Sequence, residues 1–136
     1  MFWVAIAMLA IIGTIIPNTI YGDRSEALVI KNPLESLSVT SSKEEIIMAI
    51  RYVSRKYLID ESEFMAVIKC ESNFRIDALG DSGKAFGLLQ FHKSTFDQYC
   101  KGDYHSPKDQ LSCGASMFQT PKLKLHWTCW KMYISH

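Results

Sequence analysis

Glu71 stands in the run DESEFMAVIKCES at a position where a carboxylate has chemical consequences. Phe64, Val67, Ile68 and Glu71 fall at i, i+3, i+4 and i+7, so on a helix the carboxylate closes an apolar stripe and faces the interior. A carboxyl group held there without a cation binds its proton more tightly than in water, which is what a general acid near neutral pH requires. The same spacing also suits a glutamate that caps the helix or pairs with a cation at its end, and periodicity alone does not choose between them. Asp77, Asp81 and Asp97 follow closely enough that one of them could enter the same cleft as a second carboxylate.

Ser82, in GDSGK, has the letters of the nucleophile loop of a trypsin-like protease. A serine attacks only when a histidine within hydrogen-bond reach takes its proton and a carboxylate orients that histidine. His92, His105, His126 and His136 all follow Ser82. The trypsin-like order puts histidine and aspartate first, on a β fold far longer than 136 residues. A phosphate loop fails as well, because it needs a glycine five residues before the GK glycine and Ser or Thr after the lysine. Those positions are Ala78 and Ala85. Ser82 and the glycines around it are therefore read as a turn.

Cys70, Cys100, Cys113 and Cys129 include no C-x-x-C pair, which argues against a zinc site, and no other metal or cofactor is implied. Their meaning depends on the compartment. Residues 1–22, MFWVAIAMLAIIGTIIPNTIYG, carry no charge, and Phe2 to Ile16 is almost wholly apolar. Pro17 and Asn18 break the run before a candidate cleavage point near Gly22, as a secretory signal would. No basic residue precedes the run and no small-x-small site follows it, so an uncleaved anchor is the alternative, with membrane attachment through this segment alone. Either way the rest of the chain is expected to be exported. In a small exported domain an even number of cysteines reads as disulfides. Cys100 and Cys113 bracket the polar loop KGDYHSPKDQLS and are paired, which leaves Cys70 with Cys129; four buried free thiols are the alternative. Closing the shorter loop is worth roughly 3 kcal/mol in the chain-entropy model.

The elements that must position these groups are helical. Residues 23–41 are polar and irregular, with Pro33 and the cluster SLSVTSS, and read as a linker. SSKEEIIMAIRYVSRKYLI then sets Ile46, Ala49, Ile50, Val53 and Tyr57 at helical spacing, with Ser42 and Glu45 placed for a capping box. No segment alternates long enough for a strand of ordinary length. Residues 42–136 are expected to form one small, mainly α domain, leaving room for short irregular or β segments beside a cleft. At 48% hydrophobic and 21% charged the chain can bury a modest core, and a net charge of +1 leaves no electrostatic footprint for nucleic acid.

ESNF, a glycine-rich turn and GKAFGLLQF together resemble the lytic transglycosylase domain of the soluble transglycosylase type, a lysozyme-like fold related to goose-type lysozymes. The resemblance covers residues 42 to about 132. In that family a helix ends in Glu-Ser and a Gly-Leu-Met/Leu-Gln motif follows, which Gly87, Leu88, Leu89 and Gln90 match residue for residue. The resemblance implies that Glu71 is the catalytic acid and then base. It implies that Ser72 supports the glutamate and that Gln90, with Gly87 and Leu89, contributes to the substrate cleft. The implied partner is the glycan strand of peptidoglycan, cut between N-acetylmuramic acid and N-acetylglucosamine to leave a 1,6-anhydro end, and the protein is expected to be a monomer.

One part of the family pattern is missing. A tyrosine in an Ala-Tyr-Asn-type segment usually follows the glutamine motif, whereas this chain continues to SMFQTPKLKLHWTCWKMYISH, and Tyr133 cannot be given that role. Trp127 and Trp130 offer faces on which sugars stack, but their spacing is read as core. Three functions remain open at this level: a lytic transglycosylase, a hydrolase of goose-lysozyme type, and a glycan-binding module without catalysis.

Overall fold

The computed structural model describes residues 32–135; the expected export segment and the first part of the linker lie outside them. Residues 32–41 run in turns rather than in a helix or strand. They are nonetheless attached to the domain, since Leu34 is buried in its core and Glu35 pairs with Lys108 at 2.8 Å.

Helix α1, Lys43–Tyr57, begins where the sequence signals it. Glu45 N–H donates to Ser42 Oγ at 3.2 Å and Ser42 N–H donates to Glu45 Oε2 at 2.7 Å, the reciprocal capping box. Its buried face is Ile46, Ala49, Ile50 and Val53. Helix α2, Glu61–Ser72, is capped by Asp60, whose side chain accepts from Glu63 N–H. Phe64, Val67 and Ile68 are wholly buried, so the stripe read from the sequence is the face that α2 packs inward. The helix stops at Asn73, φ 51°, a residue type that tolerates the left-handed region. Phe74 follows at φ 64°, where a bulky residue is strained, and its ring is buried in the core.

Three strands of two residues each follow: β1 (Leu79–Gly80), β2 (Ala85–Phe86) and β3 (Phe91–His92). They pair antiparallel in the order β1-β2-β3, with Gly80 opposite Ala85 and Ala85 opposite His92. Helices α3 (Lys93–Tyr99), α4 (Pro107–Phe118), α5 (Pro121–Lys124) and α6 (Thr128–Tyr133) complete the chain. The core lies between α1, α2 and α4, where Phe64 meets Phe118 edge to face at 4.8 Å and Leu111 and Ala115 are wholly buried. α6 packs against α2. The architecture is mainly α with a small sheet, as the sequence led us to expect. No helix among the described residues is long and apolar enough to cross a membrane.

Both disulfides join the cysteines in the expected pairing. Cys70 is bonded to Cys129 and Cys100 to Cys113, with Cα–Cα distances of 5.9 and 5.4 Å. The first ties α6 to the end of α2; the second ties the end of α3 to α4.

Candidate active site

Glu71 is the next-to-last residue of α2 and is half-buried, at the point where the apolar stripe reaches the surface. Two adjoining cavities share it. One, of about 380 Å³, is lined by Asp81, Ala85, His92, His126, Trp127 and Thr128 together with Glu71 and Gln90. The other, of about 340 Å³, is lined by Glu71, Gln90, Ser72, Asn73, Arg75 and Gly80 among others. Glu71 and Gln90 thus stand at the boundary of a cleft with a side on each hand.

Burial holds the Glu71 carboxyl above the ordinary carboxylate range, because desolvation penalises the charged form. A weaker influence opposes it: Cys129 N–H donates to Glu71 Oε1 at 3.3 Å, which favours the ionised form. The larger effect wins, so the group keeps its proton more readily than a solvated glutamate.

Gln90 takes φ 48° after Gly87-Leu88-Leu89 and turns its side chain back under the loop. Its Nε2 donates to Ala78 O at 3.0 Å and to Gly87 O at 2.9 Å. The amide nitrogen is therefore committed to bracing the turn between β2 and β3 against the residue before β1. Gly80 is what admits it, since a Cβ there would lie 2.1 Å from Gln90 Oε1. Gly87, φ 82°, is buried and donates to Ala78 O at 2.8 Å; a Cβ on it would run into the Gln110 amide. Leu89 is wholly buried and its carbonyl accepts from Trp127 Nε1–H at 2.8 Å. Gly87 and Leu89 line neither cavity and instead set the position of Gln90. Ser72 is buried beside the second cavity, with its hydroxyl donating to Ile68 O at 3.1 Å, a bond within its own helix.

Of the three aspartates, Asp81 lines the larger cavity and lies 3.2 Å from His92 Nε2, carboxylate to imidazole. Asp97 pairs with Lys93 at 2.7 Å on the outer face of α3, and Asp77 is exposed away from both cavities. Ser82 sits at the exposed tip between β1 and β2, where Asp81, Ser82 and Gly83 have φ of 45°, 54° and 87°. His92 is engaged by Asp81, the residue before Ser82.

Trp127 is buried, packed edge-on to Phe91 at 5.5 Å and tilted against Phe118 at 5.0 Å. Trp130 is half-buried, with its indole N–H donating to Glu63. Lys124 lies 2.6 Å from the same carboxylate. Among the described residues no cluster of His, Cys, Asp or Glu is built to hold a metal ion.

Sequence reasoning did not find that Arg75, His92 and His126 line these cavities or that the Cys129 amide reaches Glu71. His92 lies in β3 and His126 in the turn before α6, and nothing in their spacing reveals a shared cavity. A backbone N–H carries no residue signature at all.

A family model described as Transglycosylase SLT domain matches residues 48–134, a span that holds Glu71, Gln90 and all four cysteines. No curated protein and no solved structure matches the chain.

Proposed function

The chain belongs to the transglycosylase SLT domain family, and from that premise we propose that it is a lytic transglycosylase with Glu71 as its acid and base. The observation that carries this reading is the half-buried Glu71 carboxyl, which desolvation makes hold its proton more tightly than a solvated glutamate does, at the boundary of the two cavities. A glycan strand laid along the cleft crosses from one cavity to the other over that carboxyl.

Glu71 gives its proton to the glycosidic oxygen as the C1–O4 bond breaks, so the N-acetylglucosamine end leaves as an alcohol. The resulting carboxylate removes the proton of the muramoyl 6-hydroxyl, and O6 bonds to C1 to close the 1,6-anhydro ring. No water is consumed, and Glu71 ends the cycle protonated. One carboxyl group suffices for both steps, whereas hydrolysis by the usual glycosidase routes employs two carboxyl groups flanking the bond. Gln90 keeps its Oε1 for the substrate while its nitrogen braces the turn.

Asp81 favours a second reading. It lines the same cavity as Glu71 and pairs with His92, which supports a role for Asp81 in directing a water in a hydrolase. Mass spectrometry of the products from purified peptidoglycan decides between them. Anhydro ends are expected; reducing ends would assign the hydrolase, and no product would leave a glycan-binding module. Export, as a cleaved or anchored protein, is part of this reading, supported by the location of such a substrate and by the two disulfides.

A further inference from the structure

The C-terminal segment reaches the catalytic carboxyl through one backbone group. Cys129 N–H lies 3.3 Å from Glu71 Oε1, although the residues are 58 apart in the chain. The cysteine bonded to Cys129 is Cys70, the residue directly before Glu71 on α2. α6 has six residues and no side-chain cap, and a helix so short holds no place by its own hydrogen bonds. Its position on α2 is set by the disulfide, by Trp127 on Leu89 O and by Trp130 on Glu63.

We infer that Cys129 is a positioning residue for Glu71, and that the Cys70–Cys129 disulfide is what holds its N–H on the carboxyl group. The inference rests on the reading of Glu71 as acid and base. With Oε1 occupied by the N–H, Oε2 is the oxygen left to carry the proton toward the glycan. The same N–H strengthens as an interaction once the proton has left, because a hydrogen bond to a carboxylate is stronger than one to a neutral carboxyl. It therefore supports the half of the cycle in which Glu71 is charged. The Cys100–Cys113 disulfide makes no such contact, since it joins α3 to α4. The other ionisable or charged groups around the cleft are Arg75 after α2, Asp81 and His92 on the hairpin side, and His126 ahead of α6.

Two measurements test this. In ¹H–¹⁵N spectra of the intact protein across pH, the Cys129 amide proton should titrate with the same midpoint as the Glu71 side-chain carboxyl carbon, and that titration should vanish in Glu71→Gln. A Cys129 amide that does not respond to Glu71 would overturn the inference. The reading needs no turnover, so it stands apart from any failure of the protein to cleave peptidoglycan. In the second measurement, Cys70→Ser/Cys129→Ser is compared with Cys100→Ser/Cys113→Ser, both well below their melting temperatures. The first should lower kcat by about ten- to a hundredfold through misplacement and move the alkaline limb of its pH profile upward, because the amide that favours ionisation is released. The second should keep the parental limb. Equal movement in both variants, or in neither, would refute the positioning role, and if the first variant does not fold the amide titration alone decides.

Discussion

Trp127 Nε1–H donates to the carbonyl oxygen of Leu89 at 2.8 Å, joining the segment before α6 to the turn that carries Gln90. Both partners are buried, so the bond has no water to replace it. Trp127→Phe keeps an aromatic ring against Phe91 and Phe118 but leaves the Leu89 carbonyl without that donor. The expected cost is about 1–3 kcal/mol, read as a lower denaturation midpoint at unchanged slope. A midpoint equal to that of the parent protein would show that the carbonyl finds another donor.

Glu71→Gln should abolish turnover and raise stability at neutral pH. The folded protein holds the Glu71 proton more tightly than the unfolded chain, whose value is near 4.5, so the native state binds the extra proton as pH rises past that point. Stability contributed by this group therefore falls as pH climbs from 4.5 through the raised folded value. The glutamine has no proton to lose and its Oε1 can still accept from Cys129 N–H. Melting temperatures should coincide in acid and separate in favour of the variant toward neutrality. A variant less stable than the parent at pH 7, or one that still clears peptidoglycan at the parental rate, contradicts the assignment.

Ser82→Ala and Gln90→Ala should behave oppositely. Ser82 is exposed at the tip of the β1–β2 turn, so its replacement should cost within about 0.5 kcal/mol and leave activity intact. Removing the Gln90 amide withdraws hydrogen bonds from Ala78 O and Gly87 O, at a cost of about 1–2 kcal/mol in stability. The lost substrate contact should lower kcat/KM by roughly five- to a hundredfold, or ~1–3 kcal/mol. Assaying both on one peptidoglycan preparation is the check: an inactive Ser82→Ala beside an active Gln90→Ala would reopen the serine as nucleophile.

The sequence by itself determined the features that obey short-range rules. The capping box of Ser42 and Glu45, the inward face of α2 and the place of Glu71 at its end all follow from helical periodicity, which needs only neighbours within two turns. The turn character of GDSGK was legible for the same reason, and so was the disulfide pairing, because one short loop settles the other bond. Tertiary structure decided the rest. Strands of two residues have no period to read, so the sheet was invisible as strands, and with it the register that sets His92 opposite Ala85 and beside Asp81. The division of the cleft at Glu71, and the reach of Cys129 N–H across 58 residues, arise only when α6 packs on α2. Gln90 shows the boundary between the two: its motif marked it for the cleft, but only the left-handed backbone and the missing Cβ of Gly80 explain why its nitrogen braces the turn. Side-chain periodicity is a local property of the chain, whereas a shared cavity is a property of packing, and packing energy depends on surfaces that no single segment contains.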